Sequence, residues 1–257
     1  MKITDVARYF DELLRIDRFA GDPSNNGLQV EAGTECVRAA FAVDASLAVF
    51  ERAAEESADL LVVHHGLSWG GEPRRWTGMT GRRFGTLFGN ALSLYAAHLP
   101  LDANPRFGHN ARLSDMIGLT DRRTFGTYHG KQIGFRGVLP GTKTVSELAG
   151  ILDKTLPSSG PFGFVGDPAQ EVKTVGVISG GGAWPDLFDE IGQDDRLDCL
   201  ITGEATHEVF HPAKESGTVI LTLGHYRSET PGVFAVMDLV KSKFGIETAF
   251  IDIPTNM

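Results

Sequence analysis

Leu60-Leu61-Val62-Val63-His64-His65-Gly66-Leu67 decides how the rest of the chain reads. Four apolar residues, two of them β-branched, predict a buried strand that stops at Gly66. The histidine doublet sits at that stop. Neighbouring side chains on a strand point to opposite faces, so an unbroken strand cannot aim both rings into one small site. At the strand's last residue, with a glycine next, the chain can turn and both rings can face one crevice. Ligands of open α/β sheets bind outside the carboxyl ends of the strands. The doublet is then either a buried, hydrogen-bonded histidine beside a solvated one, or a pair of metal ligands, imidazole being the commonest.

Outward from the doublet, the pattern is α/β. Upstream, Thr4 starts a helix with Val6, Phe10, Leu13 and Leu14 at helical spacing. Asn26-Gly27 is a turn leading into Leu28-Gln29-Val30. A strand over 37–43, a helix capped by Ser46 and the His64-His65 strand make a β-α-β unit, which predicts parallel pairing. Downstream, a strand over 92–97 delivers His98-Leu99-Pro100-Leu101-Asp102. Around 120–130, Thr, Asp, Arg, Gly and His replace the apolar pattern, and a domain crossing is expected there. Thr144-Val-Ser-Glu147 is a capping box. Strands are expected over 131–139, 162–165, 172–178, 198–201 and 219–223, and a helix over 204–215. After Gly224-His225-Tyr226-Arg227-Ser228-Glu229 comes a helix to about 243, with Pro231 in its first turn, so His225 is expected in the preceding turn. A last strand spans 247–253.

The fold class that follows is two α/β lobes, with mixed or parallel sheets flanked by helices and the second lobe inserted in the first. Residues 1–125 plus 222–257 form the metal-binding lobe and 126–221 the inserted one. The insertion is required if His225 and Glu229 are to return to His64 and Asp102.

Composition excludes several functions. The 257 residues carry a formal charge of −9, against the basic footprint that broad binding to nucleic acid or anionic membrane needs. Arg74, Arg75, Arg82 and Arg83 form a local basic cluster that reads as solvated loop. Two isolated cysteines, Cys36 and Cys199, make no disulfide framework and no metal knuckle, and a reducing, cytoplasmic setting is expected. No signal peptide is read at the N-terminus and no apolar run is long enough to span a bilayer.

Three places share one character: His64-His65, Asp102, and His225 with Glu229 each fall just past a predicted strand. Three imidazoles and two carboxylates without a thiolate suit Zn, Fe, Mn, Co or Ni rather than Ca or Mg. Five ligands exceed one open catalytic zinc and suit a two-metal centre with open positions. His98 reads as a partner of the ligands or as a core histidine. His207 and His211, spaced i, i+4 without the H-E-x-x-H pattern, read as surface or cavity-lining residues. Gly180-Gly181-Gly182 is a weak phosphate-loop signal, and no P-loop or G-x-S-x-G motif is present.

The ordered set Asn26-Gly27-Leu28-Gln29-Val30, Leu61-Val62-Val63-His64-His65-Gly66-Leu67, Ala97-His98-Leu99-Pro100-Leu101-Asp102, Ile201-Thr202-Gly203-Glu204 and Gly224-His225-Tyr226-Arg227-Ser228-Glu229 resembles the NIF-three-like family. Its members are also called dinuclear metal-centre hexameric proteins or GTP cyclohydrolase 1 type 2 homologues. The resemblance covers nearly the whole chain and departs at Glu31-Ala32-Gly33, where relatives often place a glycine directly after Val30. It implies two divalent ions per subunit: His65 and Asp102 on one, His64 and His225 on the other, Glu229 bridging. It implies a homohexameric ring and GTP cyclohydrolase-type ring opening as the activity. Two carboxylates leave a pair of divalent ions net positive, so the leading reading is a metal-dependent hydrolase with metal-bound hydroxide as nucleophile, acting on a small anionic or nucleotide-like substrate. The alternative is a non-catalytic metal carrier or regulatory ring.

Overall fold

The computed structural model describes residues 1–71, 75–157, 160–191 and 196–256. The chain forms two compact units, Met1–Leu101 with Val233–Ile253, and Asp102–Gly232 with the residues from Pro254. The second therefore interrupts the first in sequence. Arg74 of the basic cluster lies outside the described residues.

The first unit opens with helix α1 (Ile3–Leu14), which buries Ile3, Val6, Ala7, Phe10 and Leu14. That spacing keeps one apolar face turned inward. Strand β1 (Gly27–Val30), strand β2 (Arg38–Asp44), helix α2 (Leu47–Glu55), strand β3 (Leu60–His65), helix α3 (Gly78–Gly89) and strand β4 (Ser93–Ala96) follow. Ser46 caps α2 by accepting from the Val49 amide at 3.3 Å. Strands β2, β3 and β4 are parallel, and β1 runs antiparallel on the far side of β4. Alternate residues of the parallel strands, among them Ala40, Ala42, Leu61, Val63, Leu94 and Ala96, pack with Phe50 of α2 and Leu87 of α3. The register sets Asp44 beside His65, so β2 and β3 end level, while Ala96, the last residue of β4, lies beside Val63 two residues earlier.

Helix α4 (Leu99–Asp102) carries the chain to the first residue of the second unit. Next come helix α5 (His109–Met116), strand β5 (Thr120–Tyr128), strand β6 (Lys131–Thr144), helix α6 (Val145–Asp153), strand β7 (Gly163–Val165), strand β8 (Glu171–Ile178), helix α7 (Leu187–Ile191), strand β9 (Cys199–Thr202), helix α8 (Phe210–Ser216), strand β10 (Val219–Thr222) and helix α9 (His225–Ser228). The sheet order is β5-β6-β8-β9-β10-β7. Its centre, β8-β9-β10, is parallel, and the flanking strands are antiparallel. The capping box of α6 is formed: Glu147 N–H donates to Thr144 Oγ1 and Thr144 N–H to Glu147 Oε2.

Helix α10 (Thr230–Phe244) and strand β11 (Glu247–Phe250) return the chain to the first unit, where β11 pairs parallel with β2. The first sheet is then β1-β4-β3-β2-β11.

Three local expectations change. Residues 120–128 form a strand. Their polarity reflects an outer position in the sheet, where most side chains of β5 are exposed. The helix expected over 204–215 divides into a 3-10 turn (His207–Val209) and α8, leaving His207 and His211 exposed. His225 begins the short helix α9 instead of lying in a turn. Among the described residues, no helix is long and apolar enough to cross a membrane.

Candidate metal centre

In the first unit the chemistry collects at the carboxyl ends of β2, β3 and β4. His64 is fully buried, and His65 is the last residue of β3. Their rings lie 4.5 Å apart between centroids. His98, just past β4, brings a third imidazole, 5.1 Å from His64 and 5.7 Å from His65. Each Nδ1 is paired with an oxygen: His64 with Ala97 O at 2.9 Å, His65 with Asp44 Oδ1 at 2.8 Å, His98 with Asp22 Oδ1 at 2.8 Å. With the proton of the neutral ring on Nδ1, Nε2 is the nitrogen that would face a metal.

The loop before β1 supports this cluster. Asp22 also accepts from the amides of Ser24 and Leu99 and from Asn26 Nδ2. Burial works to raise its pKa, but the bonds and charge of His98, with Asn26 and the Ser24 amide, outweigh this and hold it below the usual value. Asn26 Oδ1 accepts from the His98 amide at 2.7 Å. Gln29 Oε1 takes the amides of Leu67 and Ser68, fixing the turn after the doublet. Gly66 is required there, because a Cβ would meet the Gln29 amide and the Ala96 side chain. Trp69 donates Nε1–H to Gly66 O and stands edge-on to His98, ring centroids 5.0 Å apart.

In the second unit the parallel strands end in the same way. Past β8, Ser179 Oγ donates to Asp102 Oδ1 at 2.9 Å. Its neighbour Gly180, at φ +59°, lies so close that a Cβ would collide with the Glu229 carboxylate and crowd His225 Nε2. The glycine triplet thus gives these side chains room and does not read as a phosphate loop. Past β9, Glu204 Oε1 pairs with His225 Nδ1 at 3.0 Å. Past β10, His225 and Glu229 share one helical face, and Nε2 lies 3.2 Å from Glu229 Oε1. Ser228 Oγ accepts from the Gly180 amide and donates to His225 O, tying α9 to the turn after β8. Arg227, 1% exposed, pairs with Asp153 and lies over the Phe162 ring, which holds α9 from the other side.

Burial alone would lower the His225 pKa, but the bonds and charges of Glu229 and Glu204 reverse this and raise it to about 10. His109 is different. It is buried and accepts the Gly232 amide at Nδ1, so its neutral form carries the proton on Nε2 and is a donor, not a ligand.

The structure thus gathers His64 and His65 in the first unit and Asp102, His225 and Glu229 in the second. The sequence reading missed Asp22, Asp44, Ser179 and His109, and it met Glu204 only as part of a motif. Asp44 had one legible signal, a carboxylate ending a strand parallel to the doublet's. The donor set fits divalent transition metals, with three imidazoles offering Nε2 and two carboxylates offering oxygen.

A family model for DUF34/NIF3 (NGG1p interacting factor 3) matches residues 1–257. The chain belongs to the DUF34/NIF3 family. It is 44% identical over 257 residues to a GTP cyclohydrolase 1 type 2 homolog of Archaeoglobus fulgidus, covering all of both chains. It is 41% identical to the one of Pyrococcus horikoshii, covering 98% of each. Among solved structures it resembles TTHA1606 from Thermus thermophilus, with a TM-score of 0.87, 38% identity and full coverage of both chains. The departure at Glu31-Ala32-Gly33 leaves the DUF34/NIF3 strand before it intact, since β1 is formed through Val30.

Proposed function

We propose that this chain is a dinuclear divalent-metal protein acting as a metal-dependent hydrolase, with His64, His65, Asp102, His225 and Glu229 as ligands. One observation carries the reading: each proposed imidazole ligand has its Nδ1 paired with an oxygen, a carboxylate for His65 and His225 and a backbone carbonyl for His64. Carboxylate–histidine pairs of this kind set the tautomer and raise ligand basicity. The resemblance supports His65 and Asp102 on one ion, His64 and His225 on the other, and Glu229 as the bridge.

When bound, two such ions supply an activated water and hold a developing oxyanion. The chain's own part is orientation. Asp44 and Glu204 set the rings of His65 and His225, and Ser179 fixes one oxygen of Asp102. Two carboxylates leave a pair of divalent ions net positive, which favours a small anionic or nucleotide-like substrate. The relatives' printed name, GTP cyclohydrolase 1 type 2 homolog, suggests hydrolytic opening of a purine ring as the first reaction to assay. Two buried cysteine thiols suit a reducing, cytoplasmic setting. By resemblance the chain assembles as a homohexameric ring, which light scattering of the purified protein would weigh.

The test is turnover by zinc-, manganese- or iron-loaded protein on GTP, simple phosphoesters and amides. The hydrolase reading expects a rate on at least one that is lost in His64→Ala. Metal uptake with no rate on any of them would favour a carrier or regulatory ring.

A further inference from the structure

We propose that a cavity of the first unit, between the loop after β3 and helix α3, binds a phosphate or carboxylate carried on a planar ring, with Arg83 recognising the charge. The cavity holds about 210 Å³, and Ser68, Trp69, Thr80, Arg83 and Phe84 are among the residues that line it. The inference rests on the metal-centre reading for the use of this site, as the place for one part of the substrate. The binding itself needs no metal.

Arg75 and Arg82 are exposed, as members of a solvated basic cluster are, but Arg83 is partly buried. Its Nε is buried, and among the described residues no acceptor reaches it. A donor withdrawn from water without a partner costs stability, and a ligand that accepts the bond removes that cost. The planar guanidinium matches a phosphate or carboxylate with two parallel bonds. Thr80, Arg83 and Phe84 fall at i, i+3 and i+4 on one face of α3. Thr80 lies in the first turn, where the helix dipole favours negative charge. Ser68 Oγ accepts from Asn25 Nδ2 at 2.6 Å and keeps its own proton to donate. Over 75–90 the charged residues are Arg75, Arg82 and Arg83, so no carboxylate of that stretch competes for the guanidinium.

The walls indicate what carries the charge. Trp69 and Phe84 both line the cavity, and aromatic rings accept a planar ring by stacking or edge contact. Trp76 stands edge-on to Phe84, ring centroids 4.2 Å apart, and braces it. The Trp69 indole is fixed by its bond to Gly66 O. Its centroid lies 6.0 Å from that of His65 and 5.0 Å from that of His98. A ligand held against Arg83 therefore lies one side chain away from the proposed metal ligands. The cavity is smaller than the roughly 300–1,000 Å³ that takes a whole drug-sized ligand, so it suits one ring and its charged group.

Calorimetric titration of the full-length chain, stripped of metal by a chelator, tests this with phenyl phosphate, benzoate and phenol as probes. Saturable binding is expected for at least one of the two anions, the tighter naming the charged group, and none for phenol. Arg83→Gln is expected to weaken it by about tenfold or more, and Arg83→Lys, which keeps the charge without the fork, by less. Arg82→Gln should leave it unchanged. Arg83→Lys and Thr80→Val carry the comparison should Arg83→Gln fail to fold by circular dichroism. No saturable binding of either anion, equal binding of phenol, or binding that these variants leave intact would overturn the inference. Metal uptake by the same preparation, read by elemental analysis, keeps the two readings apart. A chain that binds the anion and takes up no metal retains this site and loses the metal centre, and the reverse result loses this site alone.

Discussion

Glu204 lies outside the proposed ligand set but touches one of its members. Its carboxylate takes Nδ1 of His225, so it fixes the face that ring offers. Glu204→Gln keeps the shape and loses the charge. It is expected to lower affinity for Zn(II) by about 10–100-fold without abolishing binding, as removal of such partners does elsewhere. Competition against a chromophoric chelator reads this directly, and an unchanged affinity would mean that Glu204 has no part in holding the metal. The proposed ligands stood out because a histidine doublet ending an apolar strand has few ordinary explanations. Their supports did not. Asp22 meets His98 across 76 positions, and its own stretch, Gly-Asp-Pro-Ser-Asn-Asn-Gly, carries only the signature of a loop. Which ring such a carboxylate reaches depends on strand register, which a single sequence does not state.

At the scale of elements, α6 offers a clean test because its capping box was readable in advance and is formed. Thr144 and Glu147 each satisfy a backbone amide that the first turn would otherwise leave without an intrahelical acceptor. Thr144→Ala is expected to destabilise the protein by about 1 kcal/mol, measured by urea denaturation. A change near zero would mean that α6 is held by its buried face, Val145, Leu148, Ala149 and Leu152, alone. The parallel strands of both sheets were legible as short apolar runs with helices between them. Strand β5 was not. The sequence Thr-Asp-Arg-Arg-Thr-Phe-Gly-Thr-Tyr has only two buried positions, so it lacks the apolar signal of a core strand and reads as a linker. An outer strand has little surface to bury and is free to be polar. The break between α9 and α10 was hidden as well, because Pro231 marks the start of a helix equally well with or without a short turn of helix before it.

For the whole molecule, acid stability depends partly on Asp198, far in sequence from the doublet. Its carboxylate accepts from the amides of Lys173 and Thr174 and from the Thr174 hydroxyl, joining the starts of β8 and β9. Burial would raise its pKa, but these bonds, helped by Arg196, bring it below the usual carboxylate value. A carboxylate whose folded pKa is depressed stabilises the fold above its unfolded pKa, and that stability fades as pH falls through the folded value. Asp198→Asn is therefore expected to be less stable than wild type at neutral pH, with the difference shrinking below about pH 4. Denaturation at a series of pH values checks this, and a pH-independent difference would contradict it.

The central claim is that five side chains drawn from both units hold a pair of divalent cations. Anomalous diffraction from crystals of the protein, recorded on either side of the metal absorption edges, tests it most directly. Two peaks per chain are expected, about 3.5–4 Å apart, with Glu229 touching both. Crystals soaked in zinc that show no peak at His64, His65, Asp102, His225 and Glu229 would contradict it.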